Sequence, residues 1–302
     1  MRRLTSFLAL ASLVPAPLLA QDADSPKIAY EFEGFGGLGV LPTDIVEADG
    51  TSDRIEGIIG AGAEVVVRKN NTRIALGARA ETFPIDGAFN RYRLQAGVSQ
   101  DLPLSIDGRT KLRLGAEYQY VLGEDGRVFD RPRADAQLIH RFGPSHTSLV
   151  RLRYGFRNQS EDRFVGFDQN EILLEARHVW RPNGGPASVS VALLASDHDA
   201  DDDRYSYRGY GVRVIGRAPI DPATEISGRV AYEDRDYEAP FSLAFPVVRA
   251  DERFQISVGI ARRIASNLEL FGDLGYVDNA SLIPIRSYSG AIGVGGVRVT
   301  LD

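Results

Sequence analysis

From Thr110 to Leu122 the chain reads T-K-L-R-L-G-A-E-Y-Q-Y-V-L, so Lys111, Arg113, Glu117 and Gln119 fall on one side and Leu112, Leu114, Ala116, Tyr118 and Tyr120 on the other. A strict period of two marks a strand with one polar and one apolar face. The same sidedness returns in segments bounded by Gly, Pro, Asn and Asp, and it predicts about fourteen strands. Their centres fall near Tyr30, Ala63, Leu76, Leu94, Leu114, Leu138, Leu152, Leu174, Val191, Val212, Val230, Val258, Leu270 and Val294. An even number of strands lets both ends of one chain lie on the same side of a membrane.

The connections give a second signal. Every other one is tight and carries turn residues: Lys69-Asn70-Asn71, Gly143-Pro144-Ser145, Pro182-Asn183-Gly184-Gly185, Ile220-Asp221-Pro222 and Ala265-Ser266-Asn267. The segment Asp101 to Arg109 is the longer member of this series. The connections between them are longer and mostly acidic: Leu38 to Asp53, Gly123 to Asp130, Asn158 to Phe164, Asp197 to Arg204, Asp234 to Asp251 and Asp278 to Ser287. Short turns inside and long loops outside describe an all-β fold, a closed antiparallel up-and-down transmembrane β-barrel. The aromatics sort by strand direction: Tyr92, Tyr118, Tyr154, Tyr210, Tyr232, Phe254 and Tyr276 fall near the loop end on the apolar face, and Phe142 and Trp180 at the turn end. Such girdles sit at the headgroup levels of a bilayer.

Compartment follows from the first residues. Arg2 and Arg3, the apolar run Phe7 to Val14 and Leu18-Leu19-Ala20 read as a cleaved signal peptide over residues 1–20, with 21–26 a short periplasmic lead-in and 27–302 the barrel. The apolar run is too short to cross a bilayer, and no later run reaches about 18 apolar residues, so crossing must be done by strands. Losing two arginines with the signal leaves 33 basic against 41 acidic residues, an acidic mature chain with no basic cluster for nucleic acid. There is no cysteine, so neither disulfides nor thiolate metal sites hold the fold. The hydrophobic content of 43% resembles that of a soluble protein, but a barrel shows lipid only every second residue.

The polar phase places Arg73, Arg79, Glu81, Glu117, Arg133, Asp135, Glu171, Glu175, Glu233, Arg253, Glu269, Asp273 and Arg298 on the inner wall. With them come the candidate selectivity residues Arg91, Arg93, Lys111, Arg113, Arg151, Arg153, Arg157, Arg177, Arg213 and Arg229. Only three of the 35 basic residues are lysine, and arginine suits ordered pairing with carboxylates or a field that favours anions. Both readings stand: a wall that focuses anions, with its excess on strands four and seven, and a wall cross-linked by ion pairs. Neither a cofactor nor a metal site is expected, because the Asp197 to Asp203 cluster lacks the glycine and terminal glutamate of a calcium loop. Gly34-Phe35-Gly36-Gly37-Leu38-Gly39 has no helix after it to make a phosphate loop, and its glycines would let strand one end and the first loop turn inward. His140 and His178 would face lipid, His146 a turn and His198 an acidic loop, with no serine well placed beside any of them. No enzyme is expected.

The segment Arg263-Ile264-Ala265-Ser266-Asn267-Leu268-Glu269-Leu270, leading to Gly275-Tyr276-Val277-Asp278-Asn279-Ala280-Ser281, resembles the penultimate hairpin of the barrel domain of surface lipoprotein assembly modifiers. The mature chain as a whole resembles Gram-negative porin-like barrels. Members of the assembly-modifier family carry an N-terminal helical-repeat domain, for which this chain has no room. Its last outward residue is Leu301, where barrels recognised by the outer-membrane assembly machinery usually end in Phe or Trp. The resemblance to porins implies passive diffusion of small hydrophilic solutes, and the arginine-rich wall adds a lean toward anions. The alternatives are a non-channel role in lipoprotein export or envelope interaction and, third, an outer-membrane enzyme. Expected partners are outer-membrane lipid and lipopolysaccharide, the outer-membrane assembly machinery, small solutes and further copies of the chain.

Overall fold

The computed structural model describes residues 26–42, 53–84, 87, 90–124, 126–160, 165–242 and 245–301. The expected signal and residues 21–25 of the lead-in lie outside the described residues. Fourteen strands run among the described residues: β1 Lys27–Pro42, β2 Asp53–Lys69, β3 Thr72–Thr82, β4 Arg91–Pro103, β5 Thr110–Gly123, β6 Gly126–Arg141 and β7 His146–Gln159. The second half continues with β8 Gln169–Trp180, β9 Ser188–Ala200, β10 Tyr207–Asp221, β11 Thr224–Pro240, β12 Val248–Ala265, β13 Leu268–Ser281 and β14 Tyr288–Leu301. Each strand pairs antiparallel with the next, and β1 pairs with β14 from Tyr30 opposite Leu301 to Gly39 opposite Ile292. The sheet is closed, so every strand has a partner on both sides. In a membrane this matters because hydrocarbon offers backbone N–H and C=O groups no partner.

The period of two becomes an inside and an outside. On β5, Leu114 and Tyr118 are exposed outward while Gln119 is buried on the inner wall. Leu76, Leu152, Leu193, Val258 and Leu274 are each more than half exposed on the outer surface, a continuous apolar belt that water would not tolerate and lipid solvates. The belt has an upper limit. Above Tyr210 and Tyr232 the same outward phase changes to Arg208, Asp234, Asp236 and Glu238, and β9 presents Asp197 and Asp199. The wall therefore continues past its aromatic girdle as a collar standing clear of the hydrocarbon. At the other end, hydrogen-bonded polar pairs occupy the outer face: Thr72 with Gln100, and Thr110 with His140 at 2.8 Å.

Turn chemistry fixes the hairpins at the lower rim. Asn70 adopts φ 52°, the left-handed conformation asparagine tolerates, and closes β2–β3 in two residues between Lys69 and Thr72. Where the wall needs close approach, glycine is required: the Phe35 ring lies over Gly60, and a Cβ there would stand 2.1 Å from Phe35 Cζ. Phe35 forms with Ile58 and Phe83 a small buried cluster on the inner face of β1–β3, against which Phe271 and Val294 pack.

Several expected connections prove shorter. β11 and β12 extend to Pro240 and from Val248, and the Phe241 N–H donates to the Val247 carbonyl at 3.2 Å, so the expected long loop Asp234 to Asp251 is a hairpin end. β5 and β6 are joined by residues 124–125 alone. The glycines from Gly34 to Gly39 do not end β1, which runs on to Pro42. In each case continued pairing satisfies backbone groups that a loop would have left to water.

Candidate channel lumen

The inner wall is built where inward residues of neighbouring strands meet in register. Midway up, Arg79 stands across from Arg93, Glu117 across from Arg133, Asp135 across from Arg153, and Arg151 across from Glu175. Fourteen strands lie close to the about sixteen that leave a porin with an aqueous channel, and well above the eight whose interior side chains fill.

Two networks dominate this level. Glu175, 2% exposed, is hydrogen-bonded by Arg177, lies 3.3 Å from Arg213 and 3.6 Å from Arg151. On the closing seam the roles reverse: Arg298 reaches Glu269 at 2.7 Å, Glu33 at 3.0 Å and Glu31 at 3.4 Å, while Arg79 joins Glu33 at 3.2 Å and Glu81 at 2.8 Å. The Arg79 guanidinium also covers the Phe35 ring at 4.3 Å. Nearer the lower rim Asp101 accepts from Lys111 and from Arg113 at 2.5 and 2.9 Å.

The ten candidate residues thus divide. Lys111, Arg113, Arg151, Arg177 and Arg213 are committed to carboxylates. Arg153 approaches Asp135 only at 4.0 Å, and Arg91 donates to the Asn90 carbonyl at 2.7 Å. Arg93, Arg157 and Arg229 make no ion pair among the described residues, and neither does Arg253, one strand beyond Arg229. The arginine excess expected on strand seven is offset by acids distant in sequence, since the pairing brings Asp135 and Glu175 to it from the strands on either side.

On the outer surface Tyr92, Tyr118, Tyr154, Tyr210, Tyr232, Phe254, Tyr276 and Trp180 are all exposed. Tyr154 donates to Asn170 Oδ1 at 2.7 Å beside an outward cleft of about 340 Å³ that also takes in Asp197, Asp199, Arg208 and Glu238.

Two histidine expectations need correction. His198 is not in a loop: it lies on β9 and stacks on Tyr207 of β10 at 4.3 Å between ring centres, 11° between planes. Ser148 does stand beside a histidine, its hydroxyl 2.9 Å from His178 Nδ1, because antiparallel pairing places residue 148 opposite residue 178. The other nitrogen of that ring meets His146 at 3.1 Å and not a carboxylate, which leaves nothing to stabilise an imidazolium as a catalytic triad would. The collar residues His198, Tyr207, Arg131 and Arg235 were missed as lumen groups. The signal was present in the unbroken phase Tyr207-Gly209-Gly211-Arg213, which the girdle residue Tyr210 and the aspartates of the next turn obscured.

Neither a protein-family model nor a curated protein sequence matches the chain, so the likeness to surface lipoprotein assembly modifiers rests on the hairpin residues alone. Among solved structures it is similar to an outer membrane channel from Pseudomonas putida F1, with TM-score 0.52 and 11% identity over 96% of this chain and 100% of that one. The outer membrane channel DcaP of Acinetobacter baumannii is similar to the same degree, with TM-score 0.52 and 10% identity over 94% of this chain and 99% of that one. Identity at this level speaks for the fold alone, and it agrees with the closed sheet, the apolar belt and the polar interior: the chain has the closed, antiparallel β-barrel fold of these outer membrane channels, built from fourteen strands.

Proposed function

We propose that the barrel is a passive diffusion channel for small hydrophilic solutes that favours anions, and that residues 1–20 act as its export signal. The observation that carries this reading is the set Arg93, Arg157, Arg229 and Arg253: four lumen guanidiniums with no ion pair among the described residues, while Glu81, Glu171 and Glu233 are engaged by other arginines. Charges fixed on a low-dielectric wall focus their field into the passage and raise the local concentration of counter-ions.

The refolded chain in a planar bilayer under a KCl gradient tests it. Discrete currents with an anion-selective reversal potential are expected, and Arg93→Gln with Arg229→Gln together should reduce that selectivity. Silence across properly folded samples, or cation selectivity, overturns the proposal. The competing reading, a stiffened and non-conducting barrel serving lipoprotein export or envelope contact, draws on the Glu175 and Arg298 networks, which cross-link β7 to β10 and the β13–β14–β1 seam.

A further inference from the structure

The collar above the girdle holds a group of side chains separate from the mid-wall networks. Arg157, three residues above Tyr154 on β7, has its guanidinium carbon 4.1 Å from the centre of the Phe129 ring and 5.0 Å from that of Phe167. Aromatic rings favour the flat faces of a guanidinium, which leaves its N–H edge for a partner. That edge has none: Arg157 Nε is enclosed without an acceptor, and the residue makes no ion pair among the described residues.

Its neighbours are already paired. Arg131 donates to Glu171 Oε2 at 2.7 Å, and Arg235 clasps Glu233 at 2.9 and 2.8 Å. Three guanidiniums therefore face two carboxylates, and the unmatched positive charge sits on Arg157. Beside it Gln169, 4% exposed, gives its Nε2 to Glu171 Oε1 at 3.3 Å and keeps Oε1 without a donor. The rest of the bank is aromatic: Tyr207 stacks on His198, and Tyr237 lies 5.2 Å from Tyr207. A single positive charge, a flat donor edge and a surrounding π surface have one simple complement.

We propose that this collar is a recognition site for monoanionic aromatic carboxylates at the outer entrance. The carboxylate would take the free edge of Arg157 in a bidentate pair, and the ring would lie against the aromatic bank. The site deepens the anion-channel reading and rests on it for a role in uptake, but binding can be read independently of conduction.

The test is calorimetric titration of the detergent-refolded full chain with benzoate, with acetate supplying charge without a ring and benzamide a ring without charge. Benzoate should bind measurably tighter than either. Arg157→Gln should weaken benzoate by about tenfold or more, as loss of a charge-assisted hydrogen bond implies, and Phe129→Leu should weaken benzoate but not acetate. Arg93→Gln should leave benzoate binding unchanged while lowering anion selectivity in the bilayer. Equal binding of benzoate and acetate, or an Arg157→Gln variant that folds and binds like the parent, overturns the site even if the barrel conducts anions. Benzoate binding through Arg157 in a barrel that passes no current would instead uphold the site and sink the channel.

Discussion

Glu175 is the place where one atom-scale change should move both selectivity and stability. Replacing it by Gln keeps the shape and removes the negative charge shared by Arg177, Arg213 and Arg151. At about 8 Å, one Debye length in 0.15 M salt, a unit charge in water acts with about 0.5 kcal/mol before screening and about 0.2 kcal/mol after it. The effect has opposite sign for the two ions of KCl, so the anion-to-cation permeability ratio should rise about twofold at 0.15 M and about fourfold at 0.01 M, where the Debye length is about 30 Å. The same change leaves Arg177 and Arg213 without a carboxylate among the described residues and Arg151 with only Asp135, at 3.8 Å. Removing one partner of a buried ionic group costs about 3 kcal/mol at the lower end, and the lower end applies because these arginine side chains keep 17, 29 and 24% of their surface exposed. Reversal potentials in a planar bilayer at the two salt concentrations read the first effect, and urea unfolding from lipid vesicles reads the second. A folded Glu175→Gln barrel whose selectivity is unchanged or lower at 0.01 M would refute the reasoning, since it would mean that solute does not pass within reach of this charge.

Gly60→Ala should destabilise the barrel by about 1–3 kcal/mol as an overpacked contact, because the new Cβ meets the Phe35 ring; combining it with Phe35→Leu should restore most of the loss in urea unfolding. Asp107, in the turn between β4 and β5, accepts from the Ser105 hydroxyl at 2.6 Å and the Arg109 N–H at 3.1 Å, and these bonds hold its carboxyl below its ordinary value of 3.8. A depressed value stabilises the fold above the unfolded pKa and loses that contribution as pH falls through the folded one, so the difference between Asp107→Asn and the parent should be present at pH 7 and shrink as the pH is taken below 3.8; a difference that persists unchanged would show the turn does not depend on this charge. Trp180 is the chain's single tryptophan and lies exposed on the outer face. Its emission should shift to the blue on folding into vesicles and be quenched more by lipids brominated near the headgroup than near the chain end; the reverse order would place the lower rim wrongly.

The strand repeat, the tight lower turns and the two sides of each strand were legible because they are local: a period of two survives whatever the strand pairs with, and Asn70 meets its left-handed turn within two residues. Loop lengths were not, since Asp197 and Asp236 read as loop residues and yet lie in strands that rise beyond the girdle; a strand leaving hydrocarbon changes its outward side chains before it stops pairing.

What the chain alone determined, then, is which side chains face inward; which of them find each other is a property of closure and register. Glu175 on β8 meets Arg213 on β10, 38 residues on, across β9, where the register sets the small inward Ala192 beside Arg213 and Leu194 beside Glu175. Glu33 meets Arg298 across 265 residues only because β1 and β14 join. Arg93 and Arg229 carry the same charge on the same kind of strand and are left unpaired, since the shear of the sheet sets Arg79 opposite the first and Ile215 opposite the second. Charge pairing in a barrel depends on distances across strands, and those distances do not exist until the cylinder is closed.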